Sequence, residues 1–505
     1  MHTYLSLDIG TTGTKVALVS EVGKTINDAY AEYTIDAPRS GFAEQDPEAW
    51  WNAIVAGCQS LRESNPVEME AVMAVGICGQ MHTHVYLDSK GRLLRSAITW
   101  MDQRAQHIVE ELNADREIST LIMDETSNNA TSTYTAPQVS WVQKNDPDTW
   151  ARTEHVLVAK DFIKYRLTGE MMTDYSEASG TLLFDVRNRK WSEKMFNLFS
   201  IPRSVFPDAA PSTTVSGYVT RETAGLTGIP EGTPVTNGSS DNSAAALGAG
   251  MTDKGQVTLI IGTAGVISAC SDTPLPDDRN RVLCWNYCLE DRWINLGVMQ
   301  TAGESLNWFK NAFETGKDKS SGDIFSVYDN ETAEVPDGSD GLLFLPYLNG
   351  ERTPYWDPHA RGVFFGVNIR STKAHFVKSI MEGVSFSLRN NIETVESLGM
   401  SVNQVQAVGG GLKSPVWLSV LSQIIGRPIN TVANPHTGNV GNSIIAGLAL
   451  GEFSSVHEAT NRLIKVDKTV ESQPSDVYEK RYAHFLGLYE DLKGRFASYD
   501  RDAMS

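Results

Sequence analysis

A turn rich in glycine and threonine near the start of the chain carries the residue types that bind phosphate. The apolar run that begins at Leu5 ends at Asp8, and the apolar pattern resumes at Val16, which predicts a strand, a tight turn and a second strand. Glycine lets backbone amides approach an anion and threonine adds hydroxyl donors. Asp8, at the strand end, is placed to face a metal-bound phosphate. The turn consists of Gly10, Thr11, Thr12, Gly13 and Thr14, followed by Lys15.

The spacing of this turn separates it from two better-known phosphate-binding loops. It is not a Walker A loop, because the spacing to a Lys-Ser/Thr pair is wrong, and it is not a dinucleotide fingerprint, because no helix follows directly. An ordinary hairpin in which Asp8 caps the turn is the alternative that the local sequence leaves open.

A second copy of the turn lies about half the chain away. Residues 258–270 read TLIIGTAGVISAC, so that Gly262 and Thr263 repeat Gly10 and Thr11. Two similar hairpins predict two similar domains that face each other across a nucleotide. Asp8 is matched by isoleucine in this copy, so we expect a metal contact from the first turn alone.

Other predicted strands also run into polar or glycine-rich segments. The buried strand from Val72 to Cys78 leads into Gly79–His82, and a short strand leads into Ser240–Asn242. Locally, Asp241 reads as the N-cap of the following helix. A later strand ends in three glycines, which suit close approach to adenosine or its phosphates but also form ordinary loops. These are Gly409, Gly410 and Gly411.

Composition bounds the class of protein. The chain has 505 residues and a formal net charge of −19, which argues against nucleic acid or an anionic membrane as the main partner. Five scattered cysteines indicate reduced thiols and a cytoplasmic location rather than a disulfide framework. No apolar run reaches the length of a membrane span.

The alternation of strand and helix patterns along the chain predicts the α/β class. A run of small residues from Ser243 to Gly250 predicts a closely packed helix. The repeated hairpin begins soon after that helix. We therefore place a domain boundary there, with one domain over residues 1–250 and a second over residues 251–505.

Several motifs in this order together resemble the FGGY family of carbohydrate kinases over nearly the whole chain. The resemblance implies two actin-like (ribonuclease H-like) domains with a cleft between them for nucleotide and substrate. It also implies ATP with Mg²⁺ as phosphoryl donor, a sugar or polyol as acceptor, sugar binding by the first domain and nucleotide binding by the second. The motifs are Asp8 to Lys15, Gly41 to Trp51, Gly79 to His82, Ser240 to Asn242, Gly262 to Gly265, Phe344 to Pro354 and Gly409 to Gly411.

The resemblance also assigns roles to individual residues. Asp241 becomes the catalytic base, since a carboxylate held against a sugar hydroxyl takes its proton as the new bond forms. Asp8 becomes the metal residue. The expected sugar-binding residues are Gln80, Met81, His82, Trp100, Asp102 and Asn242. The expected nucleotide and phosphate contacts are Gly10, Thr11, Thr12, Gly13, Thr14, Lys15, Gly262, Thr263, Gly409, Gly410, Gly411 and Asn442.

Within the family, the motifs resemble most those of the xylulokinases, which implies D-xylulose as acceptor and D-xylulose 5-phosphate as product. Thr83-His84, Cys284–Cys288 and Gly438–Asn442 depart from the usual pattern, so kinases of gluconate, ribulose, heptulose or a polyol stay open as alternatives. An actin-like protein whose nucleotide state controls binding is the alternative from another class. Small molecules are the expected partners, and a homodimer is left open.

Overall fold

The computed structural model describes residues 2–314, 324–473 and 475–503. In this part of the chain two seven-stranded mixed sheets dominate, one formed by the first half and one by the second. The first sheet has the order β13-β14-β5-β1-β2-β3, with β15 also paired to β5. Its strands are β1 Thr3–Ile9, β2 Gly13–Ser20, β3 Thr25–Glu32, β5 Val72–Gly79, β13 Val215–Tyr218, β14 Pro234–Thr236 and β15 Ser239–Ser240.

The second sheet has the order β18-β19-β17-β16-β22-β23-β24. Its strands are β16 Gln256–Ile261, β17 Gly265–Ser271, β18 Leu283–Asn286, β19 Trp293–Met299, β22 Gln404–Val408, β23 Ile429–Val432 and β24 Val466–Val470. Smaller sheets contain β4 Glu44–Gln45, β6 His84–Leu87, β7 Ala97–Ile98, β8 His155–Val158, β9 Met172–Asp174, β10 Phe184–Asp185, β11 Lys190–Trp191, β12 Asp208–Ala210, β20 Leu343–Leu345 and β21 Val363–Phe365.

Helices surround both sheets. Those of the first half are α1 Pro47–Ser64, α2 Pro66–Glu70, α3 Gln106–Ala114, α4 Arg116–Thr126, α5 Thr135–Asn145, α6 Pro147–Trp150, α7 Ala159–Thr168, α8 Tyr175–Ser179, α9 Glu193–Leu198, α10 Arg221–Thr227 and α11 Asp241–Gly248. Those of the second half are α12 Gly303–Phe313, α13 Ile324–Ala333, α14 Lys373–Glu396, α15 Pro415–Ile425, α16 Thr437–Ala449, α17 Val456–Leu463 and α18 Asp476–Ala503. Short 3₁₀ turns span Arg203–Val205, Ser339–Gly341 and Gly410–Lys413.

The two large sheets repeat one arrangement, as the duplicated hairpin predicts. β1 pairs antiparallel with β2 and parallel with β5. In the second sheet, β16 likewise pairs antiparallel with β17 and parallel with β22. Each hairpin turn therefore lies at the edge where neighbouring parallel strands also end.

Helix α16 of the second half packs on the sheet of the first half and crosses α11 with backbone in contact. A Cβ atom on Gly248 would lie 1.8 Å from the Thr437 carbonyl oxygen, and one on Gly441 would lie 1.9 Å from that of Ala244. These glycines thus permit an approach that no other residue allows.

Gly248→Ala is expected to lower the free energy of unfolding by about 1–3 kcal/mol, because the added methyl group has only backbone to displace. Thermal or urea unfolding measures the effect. Gly487→Ala in α18 is the matched control: no atom approaches a Cβ there within 4 Å, and we expect a gain of about 0.5–1 kcal/mol. Equal stability of the two variants would contradict the packing described.

Apolar side chains from both halves share one core. Met81, Tyr134 and Leu247 of the first half belong to the same buried cluster as Trp285 and Ile444 of the second. All five cysteines are buried free thiols, as expected from the sequence. Among the helices that the structure describes, none is long and apolar enough to cross a membrane.

Candidate active site

Three neighbouring parallel strands of the first sheet end at one edge, and each end carries a predicted functional segment. Ile9 pairs with Gly79 across β1 and β5, and Gly79 pairs with Ser240 across β5 and β15. Asp8 therefore lies beside the segment that leads to His82, with Asp241 on the other side. The sequence separates these residues by more than two hundred positions, and the sheet register brings them together.

Asp241 is the first residue of α11 and is not its cap. The Ser240 hydroxyl accepts the capping hydrogen bond from the Ser243 amide, so the helix-cap interpretation of Asp241 is wrong. Instead, Asp241 Oδ1 accepts hydrogen bonds from the Asn242 backbone N–H at 2.7 Å and from Asn242 Nδ2 at 3.1 Å. The carboxylate is held in place by its neighbour while its second oxygen, Oδ2, stays available to a ligand.

Burial, together with the nearby charge of Asp8, raises the pKa of Asp241 to about 7. Burial also raises the pKa of Asp8, against the opposing effects of the Cys78 thiol and Lys15. A general base works best when its pKa lies near the working pH. The electrostatic environment of Asp241 thus suits proton abstraction at neutral pH.

The value of kcat/KM for the acceptor is expected to rise with pH along an acid limb whose midpoint is about 7. The sign follows from the chemistry, because only the deprotonated carboxylate accepts a proton, and kcat/KM reports the free enzyme. Initial rates between about pH 5 and pH 9 with subsaturating acceptor test this. A flat profile across that range would remove Asp241 from this role.

Asp8 and Asp241 also offer carboxylate oxygens that a divalent cation could bind. Carboxylate oxygens are the ligands that Mg²⁺ prefers, and it commonly takes one or two of them together with substrate phosphates and waters. In the described part of the chain no group of three or more His, Cys, Asp or Glu side chains is arranged to hold a metal.

The first glycine-threonine turn has the geometry of an anion-binding loop. Gly10 N–H donates to the Gly13 carbonyl at 3.0 Å, which closes the turn. Tyr33 OH donates to the Gly10 carbonyl at 2.5 Å and fixes its base. Among the described residues, no acceptor is found for the backbone N–H groups of Thr11 and Thr12, so both remain available to a phosphate.

Other residues of the turn have internal partners. A Cβ atom on Gly13 would lie 2.7 Å from the Ala31 carbonyl oxygen, and the buried Thr14 hydroxyl donates to Tyr33 OH at 3.3 Å. Lys15 Nζ lies 3.0 Å from His436 Nδ1. Its charge therefore lies between the two halves of the chain, beside the turn rather than within it.

His82 follows β5 and has a backbone conformation that is rare for residues other than glycine. Its φ angle is 65°, a strain that proteins tend to keep at functional sites. Its Nδ1 lies 2.6 Å from the Gly180 carbonyl oxygen, and burial lowers its pKa to about 4. The ring is therefore neutral with its proton on Nδ1, which leaves Nε2 as an acceptor for a hydroxyl group.

Trp100 and Gln80 connect the sugar side to the phosphate turn. Trp100 is half-buried, and its indole N–H donates to the Thr11 hydroxyl at 2.9 Å. Gln80 Nε2 donates to Gln45 Oε1 at 2.8 Å, and Gln45 Nε2 donates to the Thr11 carbonyl at 2.6 Å. The fully buried Gln80 thus positions the turn through Gln45.

Asp102, an expected sugar contact, has partners inside the protein. This side chain has 0 % exposure, and its oxygens accept from Arg104 at 2.7 and 2.8 Å and from the Ala43 amide at 2.6 Å. Gln80 and Met81 are likewise buried, Met81 within the apolar core beside Gly180. These three side chains are buried, whereas Trp100 and Asn242 are half-buried and His82 keeps 7% exposure.

Asn442, an expected nucleotide contact, also has partners inside the protein. Asn442 is completely buried, and its amide nitrogen donates to the Ser6 hydroxyl, the Leu7 carbonyl and the Cys78 sulfur. The segment that departs from the family pattern at Gly438–Asn442 thus fastens α16 to the first sheet. A glycine-rich helix start resembles a ligand loop in sequence, but here it serves close packing.

The second half contains a cavity of about 490 Å³ at the edge of its sheet. The predicted residues Gly262, Thr263, Gly410 and Gly411 line it together, and Gly409 adopts a φ of 115° beside them. A mixture of apolar and polar side chains completes the wall, and the volume suits a nucleoside. The other lining residues include Leu306, Asn307, Tyr328, Asp329, Met381, Lys413 and Trp417.

Two walls of the sugar side come from residues that the sequence analysis did not assign. The Trp285 ring packs edge-on against the His82 ring at 5.5 Å, and the Tyr134 ring packs edge-on against it at 5.0 Å. Arg352 lies over the Trp100 ring at 6.0 Å. The departure from the family pattern at Cys284–Cys288 was the one signal for Trp285.

Comparison with known proteins identifies the family. The models of the FGGY family of carbohydrate kinases match residues 3–248 (N-terminal domain) and 257–450 (C-terminal domain). The xylulose kinase of Lactococcus lactis is 32% identical over 495 residues, with 96% of each chain covered. The gluconokinase of Bacillus subtilis is 27% identical and covers 97% of this chain and 95% of its own.

A solved structure agrees. The xylulose kinase of Rhodospirillum rubrum is 30% identical, with a TM-score of 0.90 over 98% of this chain and 100% of its own. Its agreement over both halves extends the match from the separate domains to their arrangement. The chain is thus an ATP-dependent sugar kinase with two domains of the actin-like ATPase fold, and it belongs to the FGGY family of carbohydrate kinases.

Proposed function

We propose that the acceptor of this kinase is D-xylulose and the product D-xylulose 5-phosphate. The xylulose kinases among its relatives, at about 30% identity over nearly the full chain, support this choice. The single structural observation that supports the chemistry is the proximity of Asp8 and Asp241, which lie at strand ends on either side of β5, where the charge of Asp8 helps to raise the pKa of Asp241.

In the proposed reaction, Asp241 accepts the proton of the acceptor hydroxyl as its oxygen bonds to the γ-phosphorus. The bond from that phosphorus to the bridging oxygen breaks, and ADP leaves with the electron pair. Asn242 keeps the carboxylate oriented, and the neutral His82 accepts a hydrogen bond from a second hydroxyl of the sugar. When bound, Mg²⁺ would neutralise the phosphate charge, with Asp8 as the residue that fits it.

We further propose that residues 1–250 bind the sugar and that residues 251–505 bind the nucleotide. The amides of Thr11 and Thr12 would then meet the phosphates from one side, with Gly262 and Thr263 opposite. The nucleoside would occupy the cavity lined by Gly410 and its neighbours. The five reduced thiols support a cytoplasmic location for the enzyme.

ADP release with a panel of acceptors tests the substrate. The panel contains D-xylulose, L-ribulose, D-gluconate, sedoheptulose and glycerol, each with MgATP. We expect the highest kcat/KM with D-xylulose. A higher value with D-gluconate would favour the second candidate, which the gluconokinase relative supports. Any other leading substrate would overturn both assignments while leaving the kinase chemistry in place.

A further inference from the structure

Arg352 carries a charge without a carboxylate partner in the described part of the chain. It lies in the loop of residues 346–362 between β20 and β21, and no acceptor among the described residues lies within hydrogen-bond distance of its guanidinium group. Its neighbour Glu351 attracts this charge but makes no hydrogen bond to the guanidinium, since Glu351 Oε1 accepts from the backbone amides of Gln300 and Arg352 at 2.9 and 2.8 Å. Burial raises the pKa of Glu351 to about 8.

The Arg352 guanidinium lies between two indole rings, 6.0 Å from the centre of Trp100 and 5.9 Å from that of Trp356. Aromatic faces stabilise a cation without consuming its N–H donors. Trp100 belongs to the first half and is tied to the phosphate turn through Thr11. Arg352 therefore reaches across from the second half to the wall of the sugar pocket.

The same charge also acts on His82, whose pKa it helps to lower after the larger effect of burial. The guanidinium thus lies near the residue expected to hold a sugar hydroxyl. The two side chains approach one pocket from different halves of the chain.

Hydrogen bonds of the next residue, Thr353, hold the backbone beside Arg352 in place. The Thr353 amide donates to the Val298 carbonyl at 2.9 Å, and the Val298 amide donates back to the Thr353 hydroxyl at 3.0 Å. That hydroxyl also donates to the Arg281 carbonyl at 2.8 Å. These bonds fix the backbone from which the Arg352 side chain extends.

We propose that Arg352 binds the acceptor directly, through adjacent carbonyl and hydroxyl oxygens of an open-chain 2-ketose. The forked guanidinium presents two parallel N–H donors to two neighbouring oxygens. A pentitol lacks the carbonyl oxygen and offers a weaker pair of acceptors. Arg352 is then a specificity residue that the nucleotide-binding half contributes to the sugar site. This inference rests on the proposed ketose substrate.

Calorimetry of sugar binding tests the inference, with D-xylulose and xylitol titrated separately into the full-length protein. Arg352→Met is expected to weaken D-xylulose binding about 10–100-fold, the usual cost of losing a hydrogen bond to a charged group. Xylitol binding, or its inhibition constant if heats are small, is expected to change much less. Arg352→Lys keeps the charge without the fork and is expected to recover only part of the loss.

Arg361→Met is the matched control, since Arg361 lies in the same loop and donates to the backbone carbonyls of Pro358 and Ala360. It is expected to bind D-xylulose like the wild type. Unchanged D-xylulose affinity in Arg352→Met would overturn the inference, as would equal losses for both sugars. So would a reduced kcat with unchanged affinity, which would place the guanidinium on the transferred phosphoryl group instead.

A failure of the proposed function gives a different experimental result from a failure of the role of Arg352. If the wild-type protein neither binds nor phosphorylates D-xylulose, the substrate assignment is wrong whatever the variants do. Should D-gluconate take its place, its carboxylate offers the same pair of oxygens. Arg352→Met must then weaken D-gluconate binding by a similar factor, or the role of Arg352 is wrong as well.

Discussion

Replacing Asp241 by asparagine is expected to lower kcat by about 10²–10⁴-fold, the usual contribution of a general base. The amide keeps the shape of the side chain and its place at the start of α11, but it cannot accept the proton of the acceptor hydroxyl. Binding of sugar and ATP is expected to persist. Steady-state rates together with calorimetric binding of each ligand measure the two effects separately.

Asp241→Asn is also expected to be at least as stable as the wild type at pH 8 without metal. The raised pKa of Asp241 means that its charged form is disfavoured in the fold. This penalty is absent below the unfolded-state pKa of about 4 and fully present above the folded-state value. A variant that melts higher yet turns over slowly would exclude misfolding as the cause.

Asp253→Asn serves as the control for that experiment, because Asp253 lies just beyond α11 and its side chain is 44% exposed. It is expected to retain wild-type turnover. Near-normal turnover in Asp241→Asn itself would contradict the assignment of the base and would leave the hydroxyl proton to water or to the phosphate.

Replacing Asp8 by asparagine is expected to cost about 10²–10³-fold in kcat, because charge stabilisation around a metal contributes several kcal/mol. The loss should grow as Mg²⁺ is lowered, since the remaining carboxylate of Asp241 is left to attract the cation. Titration of the rate with Mg²⁺ at fixed ATP shows whether the apparent metal affinity falls.

The second hairpin supplies the matched comparison for Asp8. Ile260 occupies the corresponding place in β16, and an aspartate introduced there lies in the other sheet. Asp8→Asn combined with Ile260→Asp is therefore expected to remain as impaired as Asp8→Asn alone. Unchanged Mg²⁺ dependence in Asp8→Asn would remove the metal role of this residue.

The residues of the site that could be predicted from the sequence are those at the ends of strands. Asp8 lies near the end of β1, Asp241 directly follows β15 and Gly262 directly follows β16, and parallel pairing brings such ends to one edge of a sheet. The repeated hairpin further predicted two similar sheets. Local pattern and strand register were sufficient for these inferences.

The sequence alone does not reveal the partner of a polar side chain. In the structure, Arg104 and the Ala43 amide donate hydrogen bonds to the carboxylate oxygens of Asp102. The side-chain amide of Asn442 likewise donates hydrogen bonds to Ser6 and Cys78. A polar residue beside a motif can therefore hold the protein's own structure in place as readily as it can contact a ligand.

Two of the residues that the sequence analysis did not assign come from the opposite half of the chain. Trp285 packs on His82 and Arg352 on Trp100, in each case across roughly two hundred positions or more. No periodicity or spacing connects such pairs, because the packing of the two halves alone brings them together. Arg352 lies within the family motif Phe344 to Pro354, but the motif alone predicts no ligand contact for it.

Phosphorus NMR of the complete reaction tests the central claim most directly. The protein is incubated with MgATP, with and without D-xylulose, and the fate of the γ-phosphoryl group is followed. We predict a sugar phosphomonoester signal that grows in step with ADP and requires both the sugar and Asp241. Inorganic phosphate as the only product, formed at the same rate with or without any sugar, would contradict the account and indicate a nucleotide-switched ATPase.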